Sequence, residues 1–68
     1  MDIRVLVGKR VKEIRNNLGI SQEELAYRAE LDRTYITSVE CGKRNISIVN
    51  IEKLATALNV TLKDFFDF

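Results

Sequence analysis

The chain has no histidine and a single cysteine, Cys41, among its 68 residues. Without histidine, a histidine-based catalytic site or a His-ligated metal is not expected, and neither is a cofactor. One cysteine excludes an internal disulfide, which fits a reducing cytoplasm. Proline is absent, and glycine occurs only at positions 8, 19 and 42. Nothing therefore breaks a helix from within, and few points exist for tight turns. No apolar run approaches the roughly 20 residues of a membrane span. The N-terminal "MDIRVLVGKR" carries only a short apolar stretch, so no secretory leader is expected. No strand alternation, paired-carboxylate cleft or glycine-rich phosphate loop is visible, which leaves little for an enzyme to use.

What is present is ordinary for a small globular domain: 46% apolar and 31% charged residues, with a net charge of +1. At this length one domain is expected, spanning 1–68. It buries only about 60% of its unfolded surface, and small domains often gain stability by oligomerising. The charge is not evenly spread. Residues 1–45 hold nine cations against seven anions, a net of +2, and residues 46–68 a net of −1. The two parts suit different partners.

Apolar spacing is helical nearly throughout. Val7, Val11, Ile14 and Leu18 share one helix face, and Gly19 stands where a C-cap glycine would. Four times an apolar residue precedes an N-cap type and a second apolar residue follows five positions on. These are Ile20–Ser21 with Leu25, Leu31–Asp32 with Ile36, Ile46–Ser47 with Ile51, and Val60–Thr61 with Phe65. Each is a hydrophobic staple around an N-cap, worth about 1 kcal/mol per cap. Ser21 with Glu24 completes a capping box, and Thr61 with Asp64 a weaker one. Five helices follow, at about 3–18, 21–29, 32–40, 47–58 and 61–66, in a compact all-α domain. In the fourth, Ile48, Ile51, Leu54, Ala55 and Leu58 form the core-facing group.

Two short helices separated by "ELD" are the helix-turn-helix layout, at about 21–40. In it the second helix enters the DNA major groove with its N-terminal residues on base edges. From Arg33 onward the sequence divides: Ile36 and Val39 point inward, and Arg33, Thr34, Thr37 and Ser38 outward. An arginine in the first turn can bond guanine bidentately, and threonine offers a hydroxyl and a methyl. The bland alternative is a solvated helix face. Lys43 and Arg44 follow this helix in a glycine-containing loop. Lys9, Arg10 and Lys12 read as surface charge, and Cys41 as an inert thiol. Tyr27 and Arg28 fit either plain surface or backbone contact.

The stretch "SQEELAYRAELDRTYITSVECGKRNISIVNIEKLATALNV" resembles the Cro/CI-type, lambda-repressor-like helix-turn-helix family, over roughly residues 8–66. The pattern "LDRTYIT", "VE", "GKRN" and a following serine is similar to the controller proteins of restriction–modification systems. The resemblance implies a dimeric, sequence-specific regulator of its own operon, with a double-stranded DNA operator and RNA polymerase as partners. Carried over by position, Arg33, Thr34, Thr37 and Ser38 face bases. Gln22, Tyr35, Lys43, Arg44 and Asn45 lie on or near the DNA backbone, with Arg44 able to reach a base. A helix N-terminus independently favours a phosphate near Gln22. Arg15 and Glu40 match a family ion pair. Glu30 departs from the pattern: many members carry glycine in that turn, and a non-glycine residue at positive φ costs roughly 1 kcal/mol.

The C-terminal "TLKDFFDF" holds three phenylalanines. Phe65, the staple residue, is expected in the core. Phe66 and Phe68, with Val49 on the outer side of helix 47–58, are expected to form an apolar dimer interface. The rival readings are a helical protein-interaction module that binds no DNA, and a prophage or antitoxin-like regulator without a controller role.

Overall fold

The computed structural model describes all 68 residues, and the chain folds into five helices joined by short turns and loops. They are α1 (Ile3–Leu18), α2 (Gln22–Ala29), α3 (Arg33–Glu40), α4 (Ile48–Ala57) and α5 (Leu62–Phe65). Local chemistry sets most boundaries. The Ser21, Ser47 and Thr61 hydroxyls accept from the backbone N–H three residues on, at 3.0, 3.1 and 3.1 Å. Each satisfies an N–H that has no partner inside its helix. Asp2 does the same for α1, accepting from the Arg4 N–H. Two expected caps differ. Asp32 holds the N-cap position of α3 but makes no side-chain cap bond. In the Ser21–Glu24 box, the Glu24 carboxylate turns to Arg28 at 2.8 Å instead of reaching back. A charged partner at i+4 competes well with a lone backbone N–H.

The core is one cluster built around Val11, Leu25, Ile36, Val39, Leu54, Leu58 and Phe65, all at most 1% exposed. Val7 and Ile14 join it, but Leu18 does not, being 40% exposed. Its angle round α1 is right, yet the helix ends there and the chain turns at Gly19. Ile20, after the turn, packs on the core instead. Ile48 is a second correction, at 68% exposed. Side chains lean toward their helix N-terminus, so a residue at the first position of α4 projects past the helix end.

Two of the three glycines are required by packing. α1 crosses α3 at Gly8, where a Cβ would meet the Val39 carbonyl oxygen at 2.3 Å and the Glu40 carbonyl oxygen at 3.2 Å. Both neighbours are backbone and cannot step aside without moving α3. Gly42, just after α3, has φ +73°, and a Cβ there would press on Val5. The replacement Gly8→Ala should therefore cost about 1–3 kcal/mol as overpacking, despite alanine's better helix propensity. Thermal melts followed by circular dichroism are the check. A variant as stable as the parent would show that the two helices can separate freely.

Arg10 is not plain surface charge. Its side chain, 18% exposed, donates to the Phe65 and Asp64 carbonyls at the end of α5 and pairs with Glu13. A cation on the last carbonyls of a helix satisfies acceptors that have no partner inside it. This bond fastens the four-residue α5 to α1.

Candidate nucleic-acid interface

α2 and α3 are joined through Glu30, Leu31 and Asp32. Glu30 takes the left-handed conformation, φ 57° and ψ 42°, although it is not glycine. The Leu31 N–H then bonds the Ala26 carbonyl at 2.9 Å. The strain is local and the closing bonds of the turn offset it. Behind the turn, Leu31 packs on the core, and Ile36 and Val39 seat α3 against α1 and α2.

With that face buried, the opposite face of α3 is open. Arg33, Thr34, Thr37 and Lys43 are exposed and, with Ser38, line one shallow depression. Ser38 sits deeper than the sequence suggests. Its hydroxyl donates to the Tyr35 carbonyl at 2.8 Å and accepts from Arg44 Nε at 2.9 Å. Its donor and one lone pair are thus engaged. Arg44 lies over the Tyr35 ring, 4.9 Å from its centroid, in cation–π range. The Tyr35 hydroxyl accepts from Asn50 Nδ2 at 3.1 Å, which ties this platform to α4. Asn45 lies apart from the α3 depression, beside Ile3, Ile46, Ile51 and Phe66.

A second network runs beneath α3. Arg15 and Glu40 form a two-pronged pair at 2.7 and 3.0 Å, with side chains 11% and 4% exposed. Arg15 also donates to the Ile20 carbonyl. The hydrogen bond to Glu40 holds the Arg15 guanidinium above its ordinary pKa, against the opposing effect of burial. Gln22 Nε2 donates to the same Glu40 Oε1 at 3.1 Å. Thr37 Oγ1 stands 3.0 Å from Gln22 Oε1 and 3.1 Å from the Arg33 carbonyl oxygen. Gln22, at the first turn of α2, is thereby held beside the exposed face of α3.

Two structural roles have no signal in the sequence, those of Asn50 and of Arg10, which reads there as surface charge. Asn50 looks like an ordinary first-turn residue, and no local pattern announces its bond to Tyr35, 15 residues away. Arg10 gave no signal beyond its charge.

These elements are a helix-turn-helix with its outer helix exposed and polar. Residues 11–65 match the helix-turn-helix family model, and the chain belongs to that family, in its Cro/CI-type form. Within it, the chain is similar to control protein C.BamHI of Bacillus amyloliquefaciens, at 48% identity over 68 residues. That match covers 98% of this chain and 84% of that protein. Among solved structures, the restriction–modification controller protein C.AhdI from Aeromonas hydrophila superposes with a TM-score of 0.89. It has 49% identity, covering 93% of this chain and 91% of that one. The controller protein C.Esp1396I, solved as a tetramer in complex with its natural 35 base-pair operator, gives 0.92 at 37% identity. The superposition covers 98% of this chain and 88% of that one. No helix of the chain is long and apolar enough to cross a membrane.

Proposed function

We propose that the protein is a sequence-specific DNA-binding transcriptional regulator of the restriction–modification controller type. It acts in the cytoplasm as a homodimer on an operator of its own operon. The observation that carries this is the depression on α3, where Arg33, Thr34, Thr37 and Lys43 stand exposed over a buried Ile36–Val39 face. A dimer would place one α3 in each of two major grooves about 34–36 Å apart, the general spacing for dimers of this motif. Lys43 and Arg44 supply cationic contacts to phosphate, which make affinity fall as salt rises, and Gln22 adds a neutral one. Gln22 Nε2 has two hydrogens, and only one is spent on Glu40, so the other is free for a phosphate oxygen.

Arg33 is the reader assigned to guanine. It makes no side-chain bond within the protein and lies in the first turn of α3. Arg33→Ala should cost about 1–3 kcal/mol of specific binding and relax preference at one base position. The melting temperature should stay within about 2–4 °C of the parent's, since the side chain is outside the core. Mobility-shift titrations on DNA from upstream of the gene are the test. Tight, sequence-independent binding by both forms would assign α3 to non-specific contact. No binding by either would favour a protein-interaction module.

A further inference from the structure

The network beneath α3 does more than hold the helix in place. It fixes which way the Thr37 hydroxyl points. Glu40, paired with Arg15, is a carboxylate and has only acceptors to offer. Gln22 must therefore present its amide nitrogen to Glu40, because the opposite orientation would set two oxygens against each other. With Nε2 so committed, Oε1 faces Thr37. The second neighbour of the Thr37 hydroxyl, the Arg33 carbonyl, is also an acceptor. The single hydroxyl hydrogen of Thr37 is thus drawn inward, whichever of the two it bonds. What remains on the outer side is oxygen lone pairs. Ser38, one position on, differs because one of its two lone pairs is already taken by Arg44.

From this polarity, and resting on the DNA-reading function proposed above, we infer that Thr37 acts only as an acceptor on the base edges. It selects a base that offers an amino group in the major groove, adenine through N6 or cytosine through N4. Guanine O6 and thymine O4 are acceptors and would meet lone pair with lone pair. Glu40 and Gln22 are positioning residues for this choice. They touch no base through this chain of bonds, but they set the polarity of the group that does. The Thr37 methyl is a separate, non-polar contact that does not depend on the network.

The test begins with a site selected from randomised DNA by the wild-type protein. Within it, each adenine is replaced by unsubstituted purine, which lacks N6. Each cytosine is replaced by 2-pyrimidinone, which lacks N4, and each guanine by 2-aminopurine, which lacks O6. Each thymine is replaced by 5-methyl-2-pyrimidinone, which lacks O4. Affinities are measured for wild type, Thr37→Val and Glu40→Gln. The valine keeps the methyl and replaces the hydroxyl with a second methyl of similar size. One position per half-site should show a loss of about threefold to tenfold on removal of its amino group, the worth of one neutral hydrogen bond. That loss should vanish in Thr37→Val and shrink in Glu40→Gln, where a neutral amide no longer dictates the orientation of Gln22. The position read by Arg33 should keep its full sensitivity in both variants, which a general loosening of the fold would not allow. If Glu40→Gln does not fold, the Thr37→Val comparison decides alone. Coupling of Thr37 to guanine O6 or thymine O4, or to no position at all, overturns the inference. Failure of the wild-type protein to enrich any sequence overturns the DNA-reading function itself, and this inference with it.

Discussion

Glu40→Ala should lower the melting temperature by about 10–20 °C. Removing the carboxylate leaves the Arg15 guanidinium, only 11% exposed, with the Ile20 carbonyl as its sole remaining partner. It also strips Gln22 Nε2 of its acceptor. Breaking a fully buried pair from one side costs about 3–5 kcal/mol. The residual exposure of Arg15 places the cost near the lower end of that range. For a domain of this size, 1 kcal/mol moves the midpoint by roughly 4–8 °C. Glu24→Ala is the control. Its pair with Arg28 is an i,i+4 contact, with both side chains at least 40% exposed. Such pairs are worth about 0.3–0.5 kcal/mol, so its shift should be only a few degrees. Melts of the two variants under one buffer decide the matter. Small and equal shifts would reduce Glu40 to one more surface charge.

A charged residue at Val49 or Phe66 should raise the dissociation constant of the proposed dimer by about a thousandfold. Val49 is 59% exposed and Phe66 40%, and Phe68 is also exposed. The Phe66 ring packs edge-on against the buried Phe65 ring, with centroids 5.1 Å apart, and lies 6.2 Å from the ring of Phe68. Ile48, exposed against expectation, adds to the apolar surface at this end of α4. It stands one helical turn from Ile51, which with Ile3 and Phe66 lines a cleft of about 230 Å³. Fully burying one such side chain is worth about 1.5–3 kcal/mol, and a twofold interface uses each residue twice. The product is about 4 kcal/mol, or three powers of ten in affinity. Val49→Glu is the cleaner variant, because Phe66 also supports Phe65 within its own subunit. Operator binding should weaken in parallel, since a lone subunit reaches one half-site. Sedimentation equilibrium is the measurement. Two variants that stay dimeric at wild-type concentrations would place the interface elsewhere on the molecule.

The number of helices, most of their starts and the division of α3 into two faces were legible in the residues alone. These are short-range matters. A serine or threonine caps the N–H three residues on, as at Ser21, Ser47 and Thr61. Ile36 and Val39 at i and i+3 fix one side of a helix, and Arg33, Thr34 and Thr37 fall on the other by rotation. Even the turn at Glu30 was readable, because its neighbours demand a reversal there and its strain is small beside their burial.

What depends on distant parts of the chain was not legible. Arg10 looked like surface charge and proves to hold α5 through contacts 54 and 55 residues away. Gly8 gave no sign that α3 would pass within a methyl's width of it. Leu18 and Ile48 had the correct angular phase but lie at helix ends, where nothing covers them. The Arg15–Glu40 pair was expected from resemblance, not from spacing. Its extension through Gln22 to Thr37 follows only once α1, α2 and α3 are packed. Periodicity reports the direction in which a side chain leaves its own helix. Which atoms wait there, and whether they donate or accept, is decided by the crossing of helices that the local sequence does not encode.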